Sequence, residues 1–104
     1  MGTIKDKFIG QRVIARGNRS GVYYGTLTAR EGQECVLANV RNIWHWEGAA
    51  TLLQVSAEGV KSPDSCNFTM FVDEIVLTDV VELLPCTQAA INNIEGVKEW
   101  KIRQ

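Results

Sequence analysis

Apolar residues recur along this chain mainly in short runs that turn-forming residues separate, which is the pattern of a strand-rich protein. Residues 11–16 and 22–30 are rich in β-branched and aromatic side chains, and Gly-Asn-Arg-Ser-Gly at 17–21 separates them. Gly and Asn tolerate positive φ, and Ser and Asn bond locally to the backbone, so this segment predicts a tight connection between two strands. Gly25 within the second strand indicates a bulge or the close approach of another backbone.

A third strand is expected directly afterwards, because Glu-Gly-Gln at 31–33 is a short Gly-containing connection. Residues 34–47 are too many for one flat strand, so we expect a bend near Asn42 that places residues 43–46 at a corner. This predicts a β-hairpin over residues 22–41.

Two more strands are predicted, over residues 68–72 and 75–84, joined through Asp73 and Glu74. The longer one has apolar residues on both faces. That pattern indicates a strand covered on two sides, by helices of the same domain or by another subunit. Residues 61–67, which contain Pro63, are expected to form a surface loop.

Helical spacing occurs twice. Apolar residues at i, i+4 and i+7 between Leu53 and Val60 predict a short helix, with Thr51 or Gly48 near its start and Gly59 at its end. A second helix is predicted over residues 88–95, where Thr87 is the candidate N-cap and Gly96 the end. A tail that contains Trp100 and Ile102 follows it.

These elements predict one α+β domain over residues 1–104: a small curved antiparallel sheet or partly open β-barrel of about five strands with two short helices. Residues 1–10 are expected to form an irregular lead, with Phe8 and Ile9 docked on the body. The edges of such a sheet need covering. A homo-oligomer is one way to cover them, and we expect one.

Composition narrows the class of protein. Hydrophobic residues make up 45% and charged residues 22% of the 104, which disfavours disorder. No apolar run approaches membrane-spanning length, and Lys5, Asp6 and Lys7 interrupt any signal-peptide pattern. We therefore expect a cytoplasmic protein with no membrane contact.

Charge is unevenly distributed although the formal net charge is only -1. Residues 1–50 carry seven Lys and Arg against four acids, whereas residues 51–104 carry four against eight. Arginine holds phosphate or carboxylate through a planar fork, so the first half is suited to a small anion. The basic excess is too weak to favour nucleic acid.

Cysteine and histidine usage argues against metal and redox sites. Cys35, Cys66 and Cys86 are widely spaced and include no Cys-x-x-Cys, so we expect buried free thiols rather than disulfides or zinc ligands. The only histidine, His45, has no sequence neighbour at metal-ligand spacing. We expect no metal and no cofactor.

No catalytic motif is recognisable. No Ser or Cys motif marks a nucleophile, and no Gly-rich phosphate loop is present. The adjacent carboxylates Asp73 and Glu74 would point to opposite faces of a strand and would not converge on one substrate. The sequence therefore predicts a protein that is not an enzyme.

Residues 41–53 contain the largest concentration of side chains suited to binding, with two of the three tryptophans, the only histidine and an arginine within residues 41–46. Trp44 and Trp46 are two apart, so in a strand they would form one aromatic wall, with Arg41 and His45 opposite unless a bulge rotates the register. Such a wall can stack a purine for roughly 1–3 kcal/mol per base. The alternative is that both indoles are core, which is the default for large aromatic side chains. The candidate ligand-binding residues are Trp44, Trp46, Arg41, Arg16, Arg19, Tyr24 and His45.

Motifs along nearly the whole chain carry a family resemblance. They are Arg12-Val-Ile-Ala-Arg16, Ser20-Gly-Val-Tyr-Tyr-Gly-Thr-Leu27, Arg41-Asn-Ile-Trp-His-Trp-Glu-Gly-Ala-Ala-Thr-Leu52, Glu58-Gly-Val-Lys61, Val72-Asp-Glu-Ile75 and Leu84-Pro-Cys-Thr87. The chain resembles a family of small uncharacterised proteins encoded by tailed bacteriophages and prophages, and its Arg-x-x-Trp-x-Trp-x-Gly-Ala core is fairly specific. The resemblance implies a phage accessory protein that acts in the cytoplasm of the bacterial host. It supplies no catalytic residues.

In that setting we expect an anti-defence sponge, a viral protein that sequesters a host immune nucleotide signal without cleaving it. The ligand would be ADP-ribose-derived or a cyclic dinucleotide, with its base on Trp44 or Trp46 and its phosphates on Arg16, Arg19 or Arg41. Competing with a host receptor would require nanomolar binding, roughly -12 kcal/mol. Membership in the sponge class is a hypothesis that goes beyond the resemblance.

The alternative is a phage structural or accessory protein that acts through protein–protein contacts. In that case the strand over residues 75–84 and the tail with Trp100 and Ile102 would form the contact surface. Trp44 and Trp46 would then belong to the core.

Overall fold

The computed structural model describes residues 4–102, which form six antiparallel strands in one unclosed sheet and two helices. The strands are β1 (Arg12–Gly17), β2 (Val22–Glu31), β3 (Glu34–His45), β4 (Asn67–Phe68), β5 (Val72–Leu77) and β6 (Val80–Pro85). The helices are α1 (Leu52–Glu58) and α2 (Gln88–Gly96), and 3₁₀ turns cover Ile4–Asp6 and Pro63–Ser65. The predicted α+β class with a curved, open antiparallel sheet is confirmed.

Strand β3 organises the sheet. The strand order is β4-β3-β2-β1-β6, and β5 also pairs with β3. The first part of β3 pairs with β5 as far as Val40, and its end pairs with β4 at Ile43. The change of partner falls at the bend predicted near Asn42. The long strand β3 therefore pairs with two short strands, β5 and β4, along one edge. The sheet curls.

Gly25 shows why a side chain is excluded from the middle of β2. The β2–β3 register shifts between Tyr24 and Thr26, as expected for a bulge. A Cβ atom at Gly25 would lie 3.0 Å from the Ala38 carbonyl oxygen and 3.0 Å from Val40 Cβ. The extra residue lies in β3, where Asn39 has a φ of 48°, so Gly25 lies opposite the bulge. The close backbone approach predicted at this glycine is confirmed.

The two faces of the sheet bury two separate clusters. Val13 and Ile14 are neighbours in β1 but belong to different clusters, because successive strand residues point to opposite faces. One cluster fills the inside of the curl, and the half-buried Phe8 packs against it. The other cluster lies against α1 and α2, with Val55 and Ile94 among its members.

Both helices begin at the predicted caps. Thr51 Oγ1 accepts a hydrogen bond from Gln54 N at 3.2 Å, and Thr87 Oγ1 accepts one from Ala90 N at 3.1 Å. Gly59 ends α1 at a φ of 80°. These bonds supply partners for amide groups that the first turn of each helix leaves unpaired.

The strand predicted over residues 75–84 is wrong, because Thr78 and Asp79 turn the chain and divide it into β5 and β6. The prediction over residues 68–72 is also wrong: β4 contains only Asn67–Phe68, and Val72 already belongs to β5. Apolar residues on both sides of Thr78 gave the appearance of one long strand. In fact the two strands lie at opposite ends of the sheet.

Asp79 fixes this turn to the β1–β2 turn. Its Oδ2 accepts hydrogen bonds from Arg19 N at 2.6 Å and Ser20 N at 3.0 Å, and its Oδ1 accepts one from Ser20 Oγ at 2.7 Å. Asn18 N also donates to the Asp79 carbonyl at 2.8 Å. The Ser20 hydroxyl and these amides hold the pKa of Asp79 below its ordinary value of 3.8.

Replacing Asp79→Asn should lower the midpoint of thermal unfolding at pH 7. A carboxylate whose pKa is depressed on folding stabilises the protein above its unfolded pKa, and the contribution disappears as the pH falls through the folded pKa. The difference from wild type should therefore be constant above about pH 5 and shrink below pH 3.8. Calorimetry across this range tests it, with Asp64→Asn as the exposed control. An equal difference at low and neutral pH would contradict the assignment.

Candidate functional site

Arg41, a candidate phosphate ligand, is instead an internal structural residue. Its side chain is only 1% exposed. Nε donates to Thr69 O at 2.9 Å, and Nη1 donates to Ile94 O at 2.9 Å and Val97 O at 3.0 Å. Nη2 makes a longer contact with Phe68 O at 3.4 Å. The guanidinium donates to backbone carbonyls and is buried, so the structure gives Arg41 an internal structural role. Its role as a ligand-binding residue stays a prediction.

Aromatic rings and distant carboxylates compensate the buried charge of Arg41. Its Cζ lies 4.7 Å from the ring centre of Phe71 and 5.4 Å from that of Phe68. Burial lowers the pKa of Arg41, and the negative charge of Glu99 is the largest opposing effect. The aromatic rings and the negative charge of Glu99 thus stabilise the guanidinium in its charged form.

Tyr24, another candidate ligand residue, is completely buried. Its Oη donates to Glu95 Oε2 at 2.7 Å, and Arg12 Nη2 lies 2.9 Å from the same carboxylate oxygen. Burial, followed by the hydrogen bond to Glu95, raises the pKa of Tyr24 far above its ordinary value. Tyr24 therefore joins the sheet to α2 and is not available to a ligand.

The two tryptophans of the central motif do not form one wall. Trp44 is 67% exposed, whereas Trp46 is half-buried and packs against the cluster under the helices. The reason is local: β3 ends at His45, and its register with β4 shifts between Ile43 and His45. A bulge of this kind rotates the residues that follow it. The predicted shared face is therefore wrong.

The ring that stacks on Trp44 comes from the C-terminal tail. The ring centres of Trp44 and Trp100 are 6.0 Å apart and their planes differ by 23°. Trp100 N donates to Phe68 O at 2.8 Å, which fixes the tail beside β4. Sequence reasoning placed Trp100 in a possible contact surface but did not pair it with Trp44, because residues so far apart share no periodicity.

We call this stack, together with the exposed residues adjacent to it in sequence, the indole surface. Its members are Trp44, His45, Glu47, Glu99, Trp100, Lys101 and Ile102. His45 Nε2 lies 3.1 Å from Glu47 Oε2, and Lys101 Nζ lies 3.4 Å from Glu99 Oε1. The charged side chains are thus arranged as two acid–base pairs beside the apolar groups.

The other candidate arginines lie outside this patch. Arg16 is paired with Glu82, with 2.6 Å between Nε and Oε1. Arg19 lies in the β1–β2 turn and is exposed; within residues 4–102 its guanidinium has no hydrogen bond or ion pair. The register Tyr23↔Asn42 places this turn at the same end of the sheet as Trp44. Arg19 is therefore the one candidate arginine that has no side-chain partner among the described residues.

Two cavities among the described residues are lined by residues other than the indole pair. The first, of about 220 Å³, lies between the N-terminal segment and β6; we call it the β6 groove. The second, of about 230 Å³, lies between β3 and the segment that leads into β5. Its lining residues are Tyr23, Val40, Arg41, Asn42, Thr69, Met70, Val72 and Ile75.

The cysteines are free thiols with low exposure. Cys35 and Cys66 are buried, and Cys86 is half-buried. Burial raises the pKa of Cys86 to about 12 and also raises that of Cys35, which opposes thiolate formation.

In the part of the chain that the structure describes, no group of three or more His, Cys, Asp or Glu side chains is placed to hold a metal ion. No helix between residues 4 and 102 is long and apolar enough to cross a membrane.

Comparison with known proteins gives one match. Residues 10–94 match the family described as "Domain of unknown function (DUF6948)". The chain belongs to this family. Searches of curated proteins and of solved structures found no match. The DUF6948 region contains Trp44 and Arg41 but ends before Trp100, so the indole surface combines residues from inside and outside the matched region.

Replacing Arg41→Lys should lower the free energy of unfolding by about 3 kcal/mol. The lysine ammonium cannot donate to all the backbone carbonyls that accept hydrogen bonds from the planar guanidinium. Urea titration followed by far-ultraviolet circular dichroism measures this. Arg19→Lys is the matched control, and its effect should stay within about 0.5 kcal/mol. A loss below about 1 kcal/mol for Arg41→Lys would contradict the structural role.

Proposed function

We propose that this DUF6948 protein is a non-catalytic binding protein that contacts a protein partner through the indole surface. One observation carries the proposal: Trp44 and Trp100 are 67% and 48% exposed, yet they are stacked on each other. Tryptophan is enriched among residues that dominate binding energy in protein interfaces. A pair of exposed indoles flanked by Ile102, which is also exposed, is typical of a contact site.

The shape and charge of the surface favour a protein over a small anion. Small ligands are usually held in concave sites, and the two cavities described above are lined by residues other than the indoles. The flanking carboxylates Glu47 and Glu99 are each matched by one basic group, His45 and Lys101. The described residues of the patch therefore offer no excess positive charge to a phosphate, and they resemble the polar rim of a protein interface.

Both indoles are attached to ordered backbone. Trp44 lies near the end of β3, and Trp100 is tied to β4 through the bond to Phe68 O. Mutual stacking restricts the rings further. Binding would therefore order few additional side chains, which reduces the entropic cost of association.

Nucleotide sequestration is the second candidate function. The observation that favours it is the unpaired Arg19 guanidinium at the same end of the sheet as the exposed Trp44 ring. Stacking a base on one indole contributes roughly 1–3 kcal/mol, far below the roughly -12 kcal/mol of nanomolar binding. A sponge would thus need further contacts, from a second subunit for example. In either case we propose a phage protein that acts in the cytoplasm of a bacterial host.

A photo-crosslinking amino acid at position 45 should capture a specific protein in bacterial cells, whereas the same group at position 53 on α1 should not. With that partner purified, Trp44→Ala and Trp100→Ala should each weaken binding by about 30-fold, the roughly 2 kcal/mol typical of an interface hot spot. Leu53→Ala is the control, since Leu53 is 70% exposed but lies away from the patch. Identical crosslinking from both positions would contradict the proposal.

Native mass spectrometry with cyclic dinucleotides and ADP-ribose derivatives separates the two candidates. Intact ligand that is released by heating, and is lost in both Trp44→Ala and Arg19→Ala, would replace the protein-contact proposal with sequestration. A converted product would show catalysis and would contradict both.

A further inference from the structure

The curled sheet ends in two free strand edges that follow each other in sequence. Among the strands that the structure describes, β5 pairs only with β3 and β6 pairs only with β1. Thr78 and Asp79 connect the two. A free edge presents unpaired backbone groups to any strand that can approach it.

The β5 edge is apolar and acidic. Val72 and Val76 are exposed, and the exposed carboxylates Asp73 and Glu74 lie between them. Within residues 4–102 neither carboxylate has an ion pair or a side-chain hydrogen bond. This edge therefore carries two negative charges that no base among the described residues pairs.

The β6 edge borders the β6 groove, which is apolar and basic. Ile4, Phe8 and Leu83 contribute apolar lining, and the basic residues of the lining are Lys7 and Arg30. The Arg30 guanidinium donates to neutral carbonyls, Gly32 O and Ile4 O, both at 3.2 Å. The one acid of the lining, Glu82, is already paired with Arg16. The groove therefore keeps positive charge.

Leu83 in β6 offers backbone groups to a new strand. Cys86 N donates to Arg12 O at 3.0 Å, and the register continues through Ile14↔Leu84. In an antiparallel pair, alternate residues direct their N–H and C=O groups away from the neighbour. Leu83, which lies between Leu84 and Glu82, is such a residue. Its backbone groups therefore face the groove side of β6.

We propose that the β6 groove binds the β5 edge of a second copy of this chain, so that the protein self-associates head to tail. Strand addition supplies main-chain hydrogen bonds, and Glu74, which shares a strand face with Val72 and Val76, would meet the basic residues Lys7 and Arg30 of the next copy. Like edges repel each other, because β5 against β5 would bring carboxylates of the two copies together. A heterologous contact of this kind closes into a ring or grows into a filament.

Charge reversal tests the proposal with this chain alone, so the protein partner proposed for the indole surface is not needed. Variant A carries Asp73→Lys and Glu74→Lys; variant B carries Lys7→Glu and Arg30→Glu. In sedimentation velocity at about 0.05 M salt, the wild type should exceed the 11.6 kDa monomer mass, and each variant should associate at least tenfold more weakly. An equimolar mixture of A and B should restore association, since each supplies the edge that the other has lost. So should the chain with all four changes.

Circular dichroism of each variant shows whether it folds. If Arg30→Glu prevents folding of variant B, Lys7→Glu alone is the milder replacement. A wild type that is monomeric at about 100 µM would overturn the proposal. So would association that both variants retain, or association that Trp44→Ala abolishes, since that would place the contact on the indole surface. Failure here leaves the proposed function standing, because that function uses other residues.

Discussion

The structure depends on one buried cation, Arg41, which replaces much of the secondary-structure pairing that this corner lacks. β4 contains only two residues, and the segment after it forms no further strand until Val72. The guanidinium in β3 satisfies carbonyls of Thr69 and of Ile94 and Val97 at the end of α2. An unpaired buried carbonyl costs roughly 1–3 kcal/mol, so one side chain holds strand, connector and helix together.

The candidate site depends on the same interaction. The carbonyl of Val97 is fixed by Arg41, and within three residues the chain reaches Trp100, whose amide bonds to Phe68 O. Phe68 also packs against the guanidinium. The stack between Trp100 and Trp44 therefore forms at the surface of a group of residues that the buried Arg41 guanidinium holds in place. This is why a residue expected to touch a ligand supports the site without being part of it.

The sequence predicts local structure well and distant pairing poorly. Thr51, Gly59 and Thr87 predict the helix ends because capping acts within a few residues, and Gly25 itself marks the close approach of β3. The division of residues 75–84 escaped prediction because Asp79 finds its partners in the β1–β2 turn, far away in sequence. Burial of Arg41 escaped for the same reason: its acceptors are main-chain carbonyls, which any residue type supplies.

The presence of two buried clusters on one sheet has a consequence for how the molecule opens. β1 is a shared wall, with Val13 facing the inside of the curl and Ile14 facing the helices. Loss of the helical layer would expose one face of this wall and leave the other packed. Amide protons of β1 and β2 should then be the slowest to exchange, and those of α1 and α2 should exchange through a partial opening that costs less than global unfolding. The helical layer and the curled sheet would then be distinct units of cooperativity within one short chain.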